Sequence, residues 1–447
     1  MHLSPSLSIY TKDQCSAREA QRLAEFISFG PFVFQASRLL VAYGILDALR
    51  DSDDGLTLEE VVEKTKVSRY AARCLLEAGL SIGVTKVNPE NDRYQLSKTG
   101  WFLLNDPATK VNMQFTHYVN YLGLYKLDEA LEQGRPAGLS YLGDWKTIYE
   151  GLFSLPGPVQ KSWFDFDHFY SDHSFEEALK IVFALHPARL LDVGGNTGRW
   201  ALQCVAHDPE VRVTIADLPQ QIRLMEEQTA GQPGAERIEG YPVDMLDENS
   251  ALPSDKAFDV VWMSQFLDCF SEEQIESILR RTAAILKPGA RLCIMETFWD
   301  RQRFEPASFC LTMTSLYFTA MANGNSKMYH SDDFIRIVEK AGLSIEAIHD
   351  GLGQGHSILV CKLKSKNMEI NEIKEKVRDF LVEEMEIDEA RITDDARLKE
   401  DLAIDSLEVV DIVVLVDQAF GFKMKPEDFK DLKTFDQFCQ FILAKIG

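Results

Sequence analysis

The stretch Leu190-Leu-Asp-Val-Gly-Gly-Asn-Thr-Gly198 constrains this chain more than any other. A short apolar run leads straight into three glycines within five positions. That order fits a strand that ends in a tight turn and opens a helix. Glycine permits positive φ and lets the backbone approach a ligand closely. Asn196 is the next best residue for a left-handed conformation. A turn of this kind needs a sheet around it. Between Arg189 and Lys362 short apolar runs alternate with helical stretches. The candidate strands are Arg189–Val193, Arg212–Asp217, Val260–Ser264, Arg291–Glu296 and Ile358–Cys361. Their alternation with helices predicts an α/β, mostly parallel sheet covered on both faces. The glycine spacing differs from Gly-x-Gly-x-x-Gly, which weakens a dinucleotide reading.

Three further features follow in order. Asp217 ends the next strand in Ile215-Ala-Asp-Leu218-Pro219, where a carboxylate can accept from both ribose hydroxyls. Asp244-Met245 follows a third strand region and suits the edge and face of an adenine. Asp259 opens Asp259-Val-Val-Trp-Met263. With the Asp192, Gly194, Gly195 and Gly198 turn, this ordered set resembles the class I S-adenosylmethionine (SAM) methyltransferases. The resemblance implies a Rossmann-like fold and SAM as cofactor.

Upstream, residues 16–50 read as helical and densely apolar, with Phe26, Phe29, Phe32 and Phe34 among them. Thr57 and Glu60 form a capping box. A second helix starts near Ser68. Two short strands flank a polar turn between Val84 and Leu96. Helix, turn, helix and hairpin make a winged-helix pattern. Joined to the SAM motifs, this front end resembles small-molecule O-methyltransferases of plant and bacterial natural-product pathways, across roughly residues 20–362. In that family the winged-helix region dimerises, which implies a homodimer.

The same resemblance implies a catalytic His in a Leu-His-Asp-Trp-type motif. Here the matching segment is Phe266-Leu267-Asp268-Cys269-Phe270, so Asp268 stands at the His position. Glu296 matches one of the two acids that hold the His, and the second falls near Met328 and is absent. An Asp at its ordinary pKa is a weak base for a phenol, while burial would raise it. Asp268 thus reads as a base, as an orienting group, or as a cap of the helix after Ser271. His330 and His356 are the alternative bases. Trp163, Phe166, Phe169 and Tyr170 read as a wall of an aromatic or polyene pocket, or as ordinary packing.

Near the C-terminus, Leu398-Lys-Glu-Asp-Leu-Ala-Ile-Asp-Ser-Leu-Glu408 resembles the modification site of acyl carrier proteins. Leu407 to Asp417 sets apolar residues at helical spacing with acids opposite. Thr434 opens a last helix. The resemblance implies a four-helix acyl carrier domain with 4'-phosphopantetheine covalently bound to Ser406. It also implies a phosphopantetheinyl transferase as partner, and a ketosynthase or acyl-activating ligase of the same pathway. Residues 369–447 hold 21 acidic and 11 basic side chains, so this unit carries −10 of the chain's −23. Such a surface suits basic docking patches.

The organisation expected is a helical/winged-helix dimerisation domain over 1–110, a methyltransferase domain over 111–363 and the carrier over 369–447. The charged stretch Lys362–Asn367 reads as the linker, reaching at most roughly 20 Å. The acidity disfavours nucleic acid and anionic lipid, and residues 60–100 lack the Lys/Arg cluster of an operator-binding winged helix. The eight cysteines form no Cys-x-x-Cys pair, so neither a disulfide framework nor a metal site is indicated. No apolar run is long enough to span a bilayer, and the N-terminus has no signal-peptide pattern. The expectation is a cytoplasmic enzyme that methylates an oxygen or carbon of an aryl, polyketide or polyene acyl group held on a carrier. The alternatives are an inactive SAM-binding scaffold and a DNA-binding regulator.

Overall fold

The computed structural model describes residues 3, 7, 10–364, 370–405, 408–420, 422–425, 428, 429 and 432–446. The chain divides into two compact units, Met1–Lys362 and Leu363–Gly447.

The first unit begins with the helix Ala17–Ser28, closed at its head by a Ser16/Glu19 capping box. None of its residues is buried. Leu23, Ile27, Phe29 and Phe32 stand exposed along this helix and the next, Gly30–Ala42. The predicted winged helix follows. Thr57 and Glu60 cap Leu58–Thr65 reciprocally, and the Ser68 hydroxyl caps Arg69–Ile82. The hairpin pairs β1 (Thr85–Asn88) with β2 (Arg93–Leu96) antiparallel. Leu40, Ile45, Leu46, Val61 and Leu76 fill the small core beneath. Helices and short turns then run from Lys98 to Phe183.

Seven strands form the main sheet. They are β3 (Arg189–Val193), β4 (Arg212–Asp217), β5 (Ile238–Pro242), β6 (Val260–Ser264), β7 (Arg291–Glu296), β8 (Leu343–Leu352) and β9 (His356–Leu363), in the order β5-β4-β3-β6-β7-β9-β8. The strands from β5 across to β7 pair parallel, and β9 lies antiparallel on β7. Strand order reverses beside β3, which creates the crevice where ligands of such sheets bind. Trp200 stacks on Trp262 at 4.5 Å within the core on one sheet face.

Two expectations need correction. β8 escaped sequence reading because its burial is irregular along ten residues at the sheet edge. Lys362 and Leu363 belong to β9, so the linker is shorter than the charge pattern implied.

The second unit has its own core of Ile373, Val377, Leu381, Ile412, Val416, Phe435, Phe438 and Ile442. Helices Ile370–Glu383, Glu408–Phe420 and Phe435–Ile446 surround it, with a short turn of helix at Glu389–Arg391. Ser406 lies outside the described residues. The backbone N–H of Asp405 donates to the Glu408 carboxylate at 2.8 Å, at the head of the helix that follows. No described helix is long and apolar enough to cross a membrane.

Candidate active site

The turn after β3 is built around missing side chains. Gly194 has φ of +77°, and a Cβ there would lie 2.3 Å from the Phe266 ring. At Gly195 a Cβ would meet Asp192 Oδ2 at 2.5 Å. Asn196 takes the left-handed conformation at φ 49°, and Gly198, at φ 79°, precedes the helix Arg199–His207. The turn is tied to β4 through Asp217. Its carboxylate accepts the Asn196 N–H at 2.9 Å and the Leu218 N–H at 2.7 Å.

Beyond these strand ends opens a cavity of about 740 Å³. Gly194, Asn196, Asp217, Leu218, Asp244 and Met245 line one part of it. Asp268, Cys269 and Phe270 line the middle, and Phe115, Trp163, Phe166, Tyr170, Tyr317 and Phe318 form an aromatic wall. The wall is locked by its own polar tips. Trp163 Nε1 donates to the Tyr317 hydroxyl at 2.8 Å, and the Tyr170 hydroxyl to Asn112 Oδ1 at 3.0 Å.

Asp268 sits in a single helical turn, Leu267–Cys269, and is only 7% exposed. Burial pushes its carboxyl up to about 6. The Cys269 thiol donates to Asp268 Oδ1 at 3.5 Å, and the Tyr149 hydroxyl donates to that sulfur at 3.1 Å. Glu296 ends β7 just behind. Its Oε1 accepts the N–H groups of Phe266 and Leu267 at 3.1 and 2.8 Å, which fixes the turn that presents Asp268. Burial, then the neighbouring Asp268 carboxylate, push Glu296 well up.

The cap reading of Asp268 does not stand. Ser271 caps the helix Glu272–Ile285 itself, through a capping box with Gln274. Several other expected site residues lie off the cavity. Asp259 precedes β6 at the opposite end of the sheet, where its Oδ2 accepts the N–H groups of Ala188 and Arg189, both at 2.9 Å. It ties the start of β3 to the start of β6, away from the residues that line the cavity. His330 caps the helix Ser331–Lys340, its Nδ1 accepting the Asp332 N–H at 3.1 Å. His356 is fully buried beside Ser174, and that burial lowers its pKa to about 4. Neither histidine, nor Phe169, lines the cavity. Asp192, Gly195 and Gly198 shape the turn from behind, and Glu296 supports rather than faces the cavity.

The cavity also gathers residues that the sequence reading passed over. Tyr149, Glu150, Asp167 and Asn323 line it from three separate segments. Nothing in their local patterns marks them, because only the fold brings them together. Cys269 was the one visible neighbour, being adjacent to Asp268. Met328 lines the cavity, and its sulfur accepts the Thr297 hydroxyl at 3.4 Å.

The residues fit a SAM-sized nucleoside cofactor. Gly194 offers bare backbone, Asp217 a carboxylate for hydroxyls and Met245 a flat apolar face. Asp192 Oδ2 is buried with no hydrogen-bond partner, and burial together with Asp217 pushes this carboxyl up to about 8.

Comparison with known proteins agrees. Residues 21–94 match the family described as Dimerisation2-like domain, 170–344 the O-methyltransferase domain, and 375–442 the phosphopantetheine attachment site. An acyl carrier protein of Thermotoga maritima is 34% identical over 76 residues, which is 17% of this chain and 94% of that protein. Residues 375–442 belong to the acyl carrier proteins, and residues 170–344 carry an O-methyltransferase domain. The O-methyltransferase FrzF of Cladobotryum sp is 30% identical over 122 residues, 26% of this chain. That match spans only about a quarter of FrzF, 27% of its length. In fold, the chain is similar to the S-adenosylmethionine-dependent methyltransferase SibL. The TM-score is 0.58 at 22% identity, covering 76% of this chain and 98% of that one. The N-terminal match is to a dimerisation domain, which leaves the DNA-binding reading without support.

Proposed function

We propose that this protein transfers a methyl group from SAM to an oxygen of an aryl, polyketide or polyene acyl group held as a thioester on Ser406. The reading is carried by one observation: an O-methyltransferase domain and a phosphopantetheine attachment site share one chain. An aromatic cavity of about 740 Å³ adds support, because it has room for such an acceptor beside a cofactor. SAM supplies an electrophilic methyl group on a sulfonium centre.

The chain's own residues do the rest. Gly194, Asp217, Leu218, Asp244 and Met245 hold the cofactor, with Asp192, Gly195 and Gly198 shaping the turn. Asp268 accepts the acceptor's proton, and Glu296 positions it. The aromatic wall aligns the acceptor and keeps water out, which is where most of the rate enhancement of an in-line displacement arises. Residues 1–110 serve as a homodimerisation domain ahead of a catalytic domain over 111–363. A phosphopantetheinyl transferase arms Ser406, and a ketosynthase or acyl-activating ligase supplies the acyl group.

Tethering raises the local acyl concentration to about the millimolar range. Acyl-loaded protein is therefore expected to be methylated far faster than the same acid free in solution, as read by intact mass. Ser406→Ala should accept no phosphopantetheine and lose that advantage. Equal rates for tethered and free acid would refute the tethered substrate.

A further inference from the structure

The acceptor part of the cavity is charged with one sign. Glu150, Asp167 and Asp268 stand against the aromatic wall, and Asp217 and Asp244 continue the same sign at the cofactor part. The described residues that line the cavity include no lysine, arginine or histidine. Asp268 is nearly buried, Asp167 is half-buried in the helix Gly157–Ser171, and Glu150 is exposed at the rim with its Oε2 accepting the Lys146 N–H at 3.3 Å. Repulsion between like charges strengthens as water leaves an apolar enclosure. A free carboxylic acid is ionised at neutral pH, so it would enter this space as a further anion. The same acyl group as a thioester is neutral.

We infer that the cavity is a charge filter for its acceptor. It admits a neutral aryl or polyene acyl group, with the carboxyl masked as a thioester, and rejects the free carboxylate. Glu150 and Asp167 are the residues that set this preference. The inference rests on the acceptor site proposed above. It gives carrier attachment a second purpose besides concentration, since attachment removes the charge that the cavity excludes.

The test needs no carrier, so it stands apart from the tethering experiment. Full-length protein saturated with S-adenosylhomocysteine is titrated calorimetrically with 4-hydroxycinnamate and with its primary amide, a neutral analogue of the same shape. The amide should bind at least about tenfold more tightly, equivalent to roughly 1.4 kcal/mol. In the double variant Glu150→Gln, Asp167→Asn the acid should gain affinity until the two differ by less than about threefold. Unchanged amide affinity would show that the variant keeps its cavity. Equal or tighter binding of the acid to the native protein overturns the inference. So does an unchanged ratio in the variant, and so does failure of both probes to bind.

Discussion

Asp268→Asn separates chemistry from structure in a single substitution. The side chain keeps its shape and loses its charge. Burial moves the Asp268 carboxyl from 3.8 to about 6, so the folded chain binds this proton more tightly than the unfolded one. Ionised Asp268 therefore costs stability, and the cost develops as pH rises from about 4 to about 6. Roughly two pKa units correspond to on the order of 3 kcal/mol as an upper bound. The weak thiol bond from Cys269 offsets little of it. The variant should be more stable than the native protein by about 1–3 kcal/mol at pH 7 and equally stable at pH 4. Activity should move the other way. Loss of a general base costs about a hundredfold or more. The native acid limb should have its midpoint near 6, so that turnover falls about tenfold between pH 7 and pH 5. Urea unfolding followed by tryptophan fluorescence isolates the relevant unit, because all six tryptophans lie before Lys362. S-Adenosylhomocysteine release under single-turnover conditions reads the chemistry. Activity within about threefold of the native protein would remove Asp268 from proton transfer. A variant less stable at pH 7 would make Asp268 a structural acceptor.

Two further outcomes test the rest of the reading. Asp217→Ala should weaken SAM binding strongly by calorimetry, and Gly194→Ala should abolish it, because the added Cβ falls 2.3 Å from the Phe266 ring at a positive φ; native affinity in either would displace the proposed cofactor site. Light scattering should give a homodimer, and Ile27→Lys with Phe32→Glu should give a monomer, since both side chains stand exposed on the first two helices at 69% and 72%; a native monomer at micromolar concentration would refute the dimer.

Much of the frame was legible because local rules suffice for it. Strands β3, β4, β6 and β7 begin and end where their apolar runs do, buried between helices on both faces. The Thr57/Glu60 and Ser68 caps follow from side chains that bond their own helix ends. The turn at Gly194 follows from conformational freedom alone. What escaped was tertiary. Asp259 sits beside motif residues in sequence, yet strand polarity sends it to the wrong end of the sheet. His330 looked like a base because imidazole chemistry is visible in a sequence, while its use as a helix cap is not. Glu150, Asp167 and Tyr149 carry no pattern at all, and reach the cavity only because helices from the first 183 residues fold over the strand ends.

The exchange of His for Asp changes what the neighbouring acid does. Beside an imidazole, a carboxylate such as Glu296 would stabilise positive charge. Beside Asp268 it meets a like charge, and two buried carboxyls in such proximity do not both ionise readily. The settings of the two differ. Glu296 is 2% exposed, its Oε1 is engaged by two backbone N–H groups, and its Oε2 has no partner. Asp268 is slightly more exposed and lines the open cavity. Burial and the neighbouring Asp268 carboxylate push Glu296 well up, while burial raises Asp268 to about 6. On the proposed mechanism the working negative charge of the pair is the one on Asp268, which lines the cavity. Glu296 orients the turn through the two N–H groups that its Oε1 accepts. On the proposed mechanism the pair supplies a base and its support without the imidazole, and adds one more carboxylate to a cavity already lined with them. That addition favours a neutral thioester over a free acid, so on the proposed reading Asp268 and the carrier are parts of one electrostatic arrangement.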